Sequence, residues 1–543
     1  MAALSRARQA AVALAYFAVF WAGLPAGLWC AGTAVDRAAG WTQAVMWWGL
    51  LPAALGVPLL AWAIHQLWRE GGGLPIGALP PPHLACRGPY AWVRHPIYEG
   101  FVLALLGVAL LRGSPGMAGV VVPAFAALTL AYAWGEERLL LRRFGPAYRA
   151  YRRWAGLVLP RLSRLLWATG RAGLIPVRAE GREHVPASGP VILVANHTCY
   201  LDPTFLIAAQ DRPIRFPTTA EVFRRPLSRW FMGRMGTICV RRYRPDPAAA
   251  TAVVDALAAG EVVGFFPERE RSVTGSYQGA DPTVAAIAAR LGAPVVPAGI
   301  NGGYQFGPRW AETLRRRPVL VRFGPPVDFT GREAAEAIDA AIRALLDHDP
   351  QPLDLTGLPR HHLGRLLWQC PACRAADGWR PADLACDCCG AAWEPGAGGF
   401  LNGPGGPTTL GALALTQRQG PWPAVELPAT AEYEPSMWGP PRPLEPRGRA
   451  LLCVDAHGLR FGGLEIPAGA IRTVSTERAD TLQVATAEAM WHFRPEGGSV
   501  FRLQWMLEAA RGPRRAPAAR PATPALVARL GGEPRRAARP RGR

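Results

Sequence analysis

Apolar residues along this chain come in three textures, and each predicts a different kind of element. The first is long and unbroken. Residues 10–31 and 42–67, then 97–111 and 117–135, are apolar blocks, the second pair joined by Arg112-Gly113-Ser114-Pro115-Gly116. Roughly 20 such residues cross a hydrocarbon core, so the blocks predict a helical transmembrane bundle of about four spans, the third short enough to be tilted or partly interfacial. The second texture alternates. Short β-branched or Leu-rich runs at 191–194, 238–240, 262–266, 295–300 and 319–323 read as buried strands, with helical periodicity at 247–259, 281–292 and 332–347. Strand and helix in alternation predict an α/β layered domain. Ahead of it, residues 161–175 set Arg161, Arg164 and Arg171 among Leu and Trp, the pattern of an interfacial amphipathic helix. The third texture is strands alone, at 450–454, 459–461, 471–474, 482–485 and 490–493, closed by a helical stretch at 500–510. That order predicts a small barrel capped by a helix.

The remaining segments complete a multidomain organisation. Residues 397–446 are rich in Gly and Pro and read as a linker, and residues 512–543 are Arg, Pro and Ala, the composition of a disordered basic tail. The expected division is a membrane domain over 1–160, an α/β domain over 161–350, a cysteine-rich ribbon over 366–396, the linker, a β-rich module over 447–511 and the tail.

Charge narrows the partners. The 543 residues carry a formal net charge of +20, and every basic residue is Arg. A GC-rich coding bias accounts for part of this. Attraction to an anionic surface is the functional reading, and beside long apolar blocks that surface is phospholipid; no nucleic-acid partner is expected. Arg6, Arg8, Arg69, Arg87, Arg94 and the Arg-rich stretch from Arg138 to Arg153 share one side of a four-span bundle. The positive-inside rule makes that side cytoplasmic, and an even span count leaves the later domains there too. The expectation is a bacterial-type inner membrane protein with its soluble domains in the cytoplasm. Ten Cys, several of them scattered, make no disulfide framework. The first apolar block is too long for a signal-peptide core.

Candidate chemistry begins where the first α/β strand ends. Val191–Val194 runs into Ala195-Asn196-His197-Thr198-Cys199-Tyr200-Leu201-Asp202. A neutral imidazole accepts a proton near pH 7, and a nearby carboxylate fixes its tautomer and stabilises the imidazolium. Five residues apart on a straight helix the two side chains would diverge, so they meet only if the chain turns here. Three further blocks follow in order: Gly236-Thr237-Ile238-Cys239-Val240-Arg241, Phe265-Phe266-Pro267-Glu268-Arg269-Glu270-Arg271-Ser272, and Ala293-Pro294-Val295-Val296-Pro297. Together with the first they resemble the glycerolipid acyltransferases, the lysophosphatidic acid acyltransferases and their relatives, over about residues 175–330. The resemblance implies transfer of an acyl group from a thioester, on coenzyme A or acyl carrier protein, to a lysophospholipid-like hydroxyl of the 1-acylglycerol-3-phosphate type. It implies His197 as general base, Asp202 as its orienter, and Asn196, Arg241, Glu268, Arg271 and Ser272 as substrate-binding residues, Arg271 for the acceptor phosphate. The family's third block is usually Glu-Gly-Thr-Arg-Ser; here Arg269 and Glu270 replace Gly and Thr, which bears on acceptor identity more than on the chemistry. Cys199 is read as packing rather than as a nucleophile.

The membrane domain carries its own motif. Arg94-His95-Pro96-Ile97-Tyr98-Glu99-Gly100, then Glu136-Glu137, then Phe144-Gly145-Pro146-Ala147-Tyr148-Arg149-Ala150-Tyr151, put ionisable groups at the ends of spans, where they are costly unless used. The set resembles the isoprenylcysteine carboxyl methyltransferase and phospholipid N-methyltransferase superfamily, over about residues 45–155. That resemblance implies S-adenosylmethionine held by Arg94, His95, Pro96, Tyr98, Gly100, Glu136 and Glu137, with the methyl acceptor open.

Cys370-Pro371-Ala372-Cys373 and Cys386-Asp387-Cys388-Cys389 have the spacing of two metal knuckles. They resemble a zinc ribbon in which Cys370, Cys373, Cys386 and Cys389 hold structural zinc, with Cys388 as the alternative to Cys389. The strand-rich module after it is similar in pattern to a pleckstrin-homology or GRAM module. Two other readings stay open: a membrane-anchored scaffold with a degenerate acyltransferase site, and methyltransferase activity alone.

Overall fold

The computed structural model describes residues 11, 14–73, 75, 81–241, 246–268, 270–282, 285, 288–289, 291–329, 333–420, 422–434 and 444–512. Arg269, much of the 281–292 helix and the tail beyond residue 512 lie outside them. The chain forms two compact units, Met1–Leu165 with Arg234–Gly236, and Leu166–Gly233 with Thr237–Arg543.

In the first unit the hydropathy blocks become helices with shifted ends. Among the described residues three are long and apolar enough to cross a membrane: α1 (Leu14–Ala39), α2 (Trp47–Gly71) and the Met117–Gly145 stretch. The expected third span, α3 (Pro96–Leu111), has 16 residues; at 1.5 Å per residue that is about 24 Å, short of a ~30 Å core. Among the described residues there are thus three long helices and one short one, the short one being the block expected to be short. Trp47 and Trp48 at one end of α2 and Trp68 at the other are exposed, as aromatic residues at two membrane interfaces would be. Backbone contact joins α2 to α3. A Cβ built on Gly56 would stand 2.4 Å from the Ala104 nitrogen, one on Gly107 2.5 Å from that of Ala53, and one on Gly100 2.7 Å from that of Leu60. Small residues permit such close crossings. Gly100, expected at the cofactor, packs against Leu60 at this crossing.

The last membrane helix, α4 (Val122–Trp154), breaks at Gly145, whose φ of 50° is outside the helical range. Gly followed by Pro is a sufficient cause for the kink. Asp36, buried near the end of α1, accepts the Gly116 N–H at 2.6 Å and the Ser114 hydroxyl. This carboxylate stabilises the N-terminal end of the helical stretch that begins beside it.

From Leu162 on, the chain forms α5 (Leu162–Arg171), β1 (Val177–Glu180), β2 (Val191–Ala195), α6 (Asp202–Ala209), β3 (Ile214–Arg215), β4 (Pro217–Thr219), α7 (Pro226–Met235), β5 (Ile238–Val240), α8 (Pro247–Ala258), β6 (Val262–Phe265), β7 (Val295–Asn301), β8 (Val319–Phe323) and α9 (Ala334–Arg343). Six strands form one sheet in the order β1-β8-β7-β2-β6-β3, parallel except between β7 and β8. β2 lies inside the sheet with every residue buried, as its unbroken apolar run requires of a strand covered on both faces. Its C-terminal end delivers Asn196 and His197 to the edge of the core.

The described residues of 397–446, a stretch read as a linker, hold strands and a helix. They contain β12 (Leu401–Gly403), β13 (Gly406–Thr408), α10 (Leu410–Thr416) and β14 (Val425–Glu434), after β9 (Trp379–Arg380), β10 (Ala385–Cys386) and β11 (Glu394–Pro395). Leu410 and Ala414 belong to a core that also contains Val273, Tyr304 and Trp310 of the α/β domain, Cys370 and Trp379 of the ribbon, and Phe501. β14, β15 (Glu445–Asp455), β16 (Gly458–Phe461), β17 (Leu464–Pro467), β18 (Thr473–Glu477), β19 (Thr481–Ala485) and β20 (Met490–Pro495) form an antiparallel sheet ordered β17-β16-β15-β14-β20-β19-β18. α11 (Val500–Arg511) packs Leu503, Met506 and Leu507 into its core. Strands closed by a helix are as expected, but the sheet starts at Val425, and the strand pairings order it from β17 to β18 rather than close it into the expected barrel.

Candidate active sites

After β2 the chain turns before α6 begins, and this turn brings His197 and Asp202 together. His197 Nδ1 lies 2.8 Å from Asp202 Oδ2, and the same oxygen accepts the N–H groups of Thr198 at 2.6 Å and Cys199 at 2.8 Å. Asp202 is fully buried at the first residue of α6, where N–H donors and the helix end favour its charge. With Nδ1 directed to the carboxylate, the ring's tautomer is set and Nε2 is the nitrogen for proton exchange. The imidazole stacks on Phe266, ring centroids 3.9 Å apart, and Phe266 stacks in turn on Phe216. Phe266 sits in a block the sequence singled out, but its contact with His197 was not legible there.

The Glu268–Ser272 turn is bonded to the His197 backbone. Glu268 accepts the His197 N–H at 2.6 Å and the Gln278 N–H at 2.8 Å, and the Ser272 N–H donates to the His197 carbonyl at 2.7 Å. Burial pushes the Glu268 carboxyl well above the usual range, against the pull of its two N–H donors. Arg271 lies over the exposed Tyr200 ring, 3.2 Å from its centroid. Asn196 is buried, with its amide exchanging both bonds with the Ile300 backbone, at 2.7 and 3.1 Å. Of the residues expected to touch substrate, Asn196 and Glu268 through their side chains and Ser272 through its backbone N–H join β2, β7 and the turn. Arg241 lies just beyond β5, its N–H on Asp246, which caps α8. Cys199 is buried, and burial followed by the Asp202 charge pushes its thiol up to about 12, so no thiolate is available for attack at neutral pH.

In the membrane unit, Glu137 gathers the predicted cluster. Arg94 Nε stands 3.0 Å, Arg152 Nε 3.1 Å and His95 Nε2 3.4 Å from its carboxylate, and the Tyr148 hydroxyl bonds it from beyond the Gly145 kink. Glu136 accepts the Tyr98 hydroxyl at 2.9 Å and lies 3.5 Å from His95 Nδ1. Arg152 and Tyr148 were not among the expected site residues; only the kink brings them back. A cavity of about 360 Å³ is lined by Arg94, Glu137, Arg138 and Arg152 with Trp134 and Leu141. Neighbouring charges of both signs fit the amino-acid end of S-adenosylmethionine. Pro96, like Gly100, is buried in α3.

The four expected cysteines converge. All their sulfurs lie within 4.8 Å of one another, Cys373–Cys386 at 3.7 Å and Cys370–Cys389 at 3.8 Å. Sulfurs about 2.3 Å from one tetrahedral ion stand about 3.8 Å apart, so the donor set fits zinc. Cys388 points elsewhere, its sulfur 3.1 Å from the Asp377 carbonyl.

The fold and these clusters define a membrane protein that joins an acyltransferase-type α/β region to a methyltransferase-type helical region. Residues 176–301 match the Acyltransferase family and residues 44–147 the Phospholipid methyltransferase family. The chain is 32% identical over 196 residues to a 1-acyl-sn-glycerol-3-phosphate acyltransferase of Chlamydomonas reinhardtii, covering 35% of this chain and 58% of that protein. It is 25% identical over 174 residues to the 1-acyl-sn-glycerol-3-phosphate acyltransferase of Bacillus subtilis, covering 31% of this chain and 84% of that protein. With methanethiol S-methyltransferase of Mycobacterium tuberculosis it shares 28% identity over 156 residues, 28% of this chain and 60% of that protein. The chain spans about half the length of the curated acyltransferase relatives it matches.

Proposed function

We propose that this chain is an acyltransferase of phospholipid synthesis, working in a bacterial-type inner membrane with its α/β unit on the cytoplasmic side. It moves an acyl group from a coenzyme A or acyl carrier protein thioester to the free hydroxyl of a lysophospholipid. The observation that carries the reading is the His197–Asp202 pair at 2.8 Å, bonded through its backbone to the turn that bears Arg271. His197 Nε2 takes the hydroxyl proton as the acceptor oxygen attacks the thioester carbonyl carbon. Asp202 stabilises the resulting imidazolium. The tetrahedral intermediate expels the thiolate, which receives the proton back from His197, so no covalent enzyme intermediate is needed. Arg271 binds the acceptor phosphate, its guanidinium held over the Tyr200 ring.

The helical unit, in the same reading, methylates a membrane-borne acceptor. S-adenosylmethionine supplies the activated methyl group. Arg94, His95, Tyr98, Glu136 and Glu137 hold it, and Arg152 and Tyr148 fix Glu137. Zinc at Cys370, Cys373, Cys386 and Cys389 is structural, since four thiolates leave no open coordination position. A pure scaffold has no need of a buried carboxylate aligned on a partly exposed imidazole.

The test is acyl transfer in isolated membranes, with labelled thioester and a panel of lysolipids. His197→Ala is expected to lower turnover by about 10²-fold or more. Equal transfer by wild type and variant would end the acyltransferase reading.

A further inference from the structure

The turn that carries Arg271 also forms one wall of a cavity of about 370 Å³. The opposite wall comes from much later in the chain: Arg418 after α10, and Gln504, Trp505 and Glu508 on α11. Arg309 joins the two walls. It pairs with Glu270 at 3.3 Å, donates to the Arg271 carbonyl at 3.1 Å and to the Thr476 carbonyl on β18, and lies 5.8 Å from the Phe501 ring centroid. Its side chain is 3% exposed, so the contact is built in rather than a surface accident. Glu270, which departs from the Thr of the resemblance, is the carboxylate this buried cation uses.

The chemistry of the lining is specific. Three of its arginines each face a lining carboxylate: Arg309 with Glu270, Arg343 with Asp349, and Arg418 with Glu508 at 3.3 Å. Ser276, Gln278 and Gln504 add neutral donors and acceptors. Pairwise-balanced charge does not favour a second anion, whereas paired charges and amides suit a polar group without further negative charge. Arg271, proposed for the acceptor phosphate, lines the same space, which is far larger than one phosphate needs.

We infer that the acceptor's phosphate is a diester, carrying a small polar headgroup without further negative charge, and that this cavity holds the headgroup. The inference rests on the acyltransferase reading above and names its substrate class. The C-terminal module is then a wall of the acceptor site as well as a neighbour of the α/β domain.

The full chain in membranes is assayed with labelled acyl-thioester and lysolipids of one acyl chain: lysophosphatidic acid and its ethanolamine, glycerol and serine diesters. The ethanolamine or the glycerol diester is expected to exceed both lysophosphatidic acid and the serine diester by about 10-fold in kcat/KM. Ser276→Met, which adds bulk to the lining, is expected to lower the ratio of the preferred diester to lysophosphatidic acid by about 10-fold. Glu508→Gln, a change of charge alone, is expected to raise the ratio of the serine to the ethanolamine diester about threefold and serves if the first variant does not fold. Preference for lysophosphatidic acid, or ratios that neither variant moves, would overturn the inference while leaving the acyltransferase standing. Transfer to no lysolipid at all would overturn both.

Discussion

Asp202 Oδ2 receives three hydrogen bonds, from the His197 ring and from two backbone N–H groups. Those contacts hold the carboxylate where the imidazole needs it. Asp202→Asn keeps the size but removes the charge that sets the tautomer, so kcat is expected to fall by about 10²- to 10⁴-fold with the thioester KM little changed. Steady-state kinetics in membranes would check this, and an unchanged kcat would remove Asp202 from the mechanism. Cys199, buried and with its thiol held protonated, makes the opposite case. Cys199→Ala is expected to stay within about threefold of wild type, because a protonated thiol is no nucleophile; loss of labelled product in the same assay would reopen covalent catalysis. The His197–Asp202 pair was legible from sequence because it is local, formed by one turn of the chain. The bonds of Asn196 to Ile300, of Glu268 to Gln278 and of the Ser272 N–H to the His197 carbonyl were not legible, because they depend on how β2, β7 and the turn meet.

Among the elements, the α2–α3 crossing depends on glycine. A side chain at Gly56 or Gly107 would collide with backbone atoms of the facing helix, which cannot yield as a flexible side chain can. Gly107→Leu is expected to force α2 and α3 apart and lower the thermal midpoint of the detergent-extracted protein by several degrees, reflecting overpacking of about 1–3 kcal/mol. The same midpoint in wild type and variant would show that the crossing tolerates bulk. β20 supplies a pH test. His492 is buried there, and burial followed by the nearby Arg224 charge lowers its pKa to about 4. An exposed imidazole titrates near ~6.5, so between those values the unfolded chain binds a proton that the folded module excludes. Stability from this group is fully present above ~6.5 and is lost as pH falls towards 4. Faster hydrogen exchange of β20 amides as pH drops through that window, after correction for intrinsic rates, is expected in wild type and not in His492→Gln. The strands of this module were legible by period. The segment ahead of them was not, since Gly and Pro mark tight turns and tethers alike until burial of Leu410 and Ala414 decides.

At the scale of the molecule, ribbon, α/β domain and C-terminal module share one apolar core that includes Cys370, Trp379, Trp310 and Phe501. Loss of the four-cysteine cluster is therefore expected to act on a site to which it contributes no atom. Cys386→Ser is expected to lower acyl-transfer activity together with the thermal midpoint, and a variant with normal activity and normal midpoint would show the ribbon to be dispensable. Sequence alone determined the kinds of domain and their chemistry. Apolar block length, strand and helix period, the His197–Asp202 spacing and the paired Cys-x-x-Cys motifs are local properties, read by the backbone or by a metal within a few residues. Only the tertiary structure decided that the supposed linker is core, that Arg152 and Tyr148 return to Glu137, and that Arg309 ties Glu270 to Thr476. Those contacts join residues far apart in the chain, and no local period or spacing encodes which distant surfaces will bury one another.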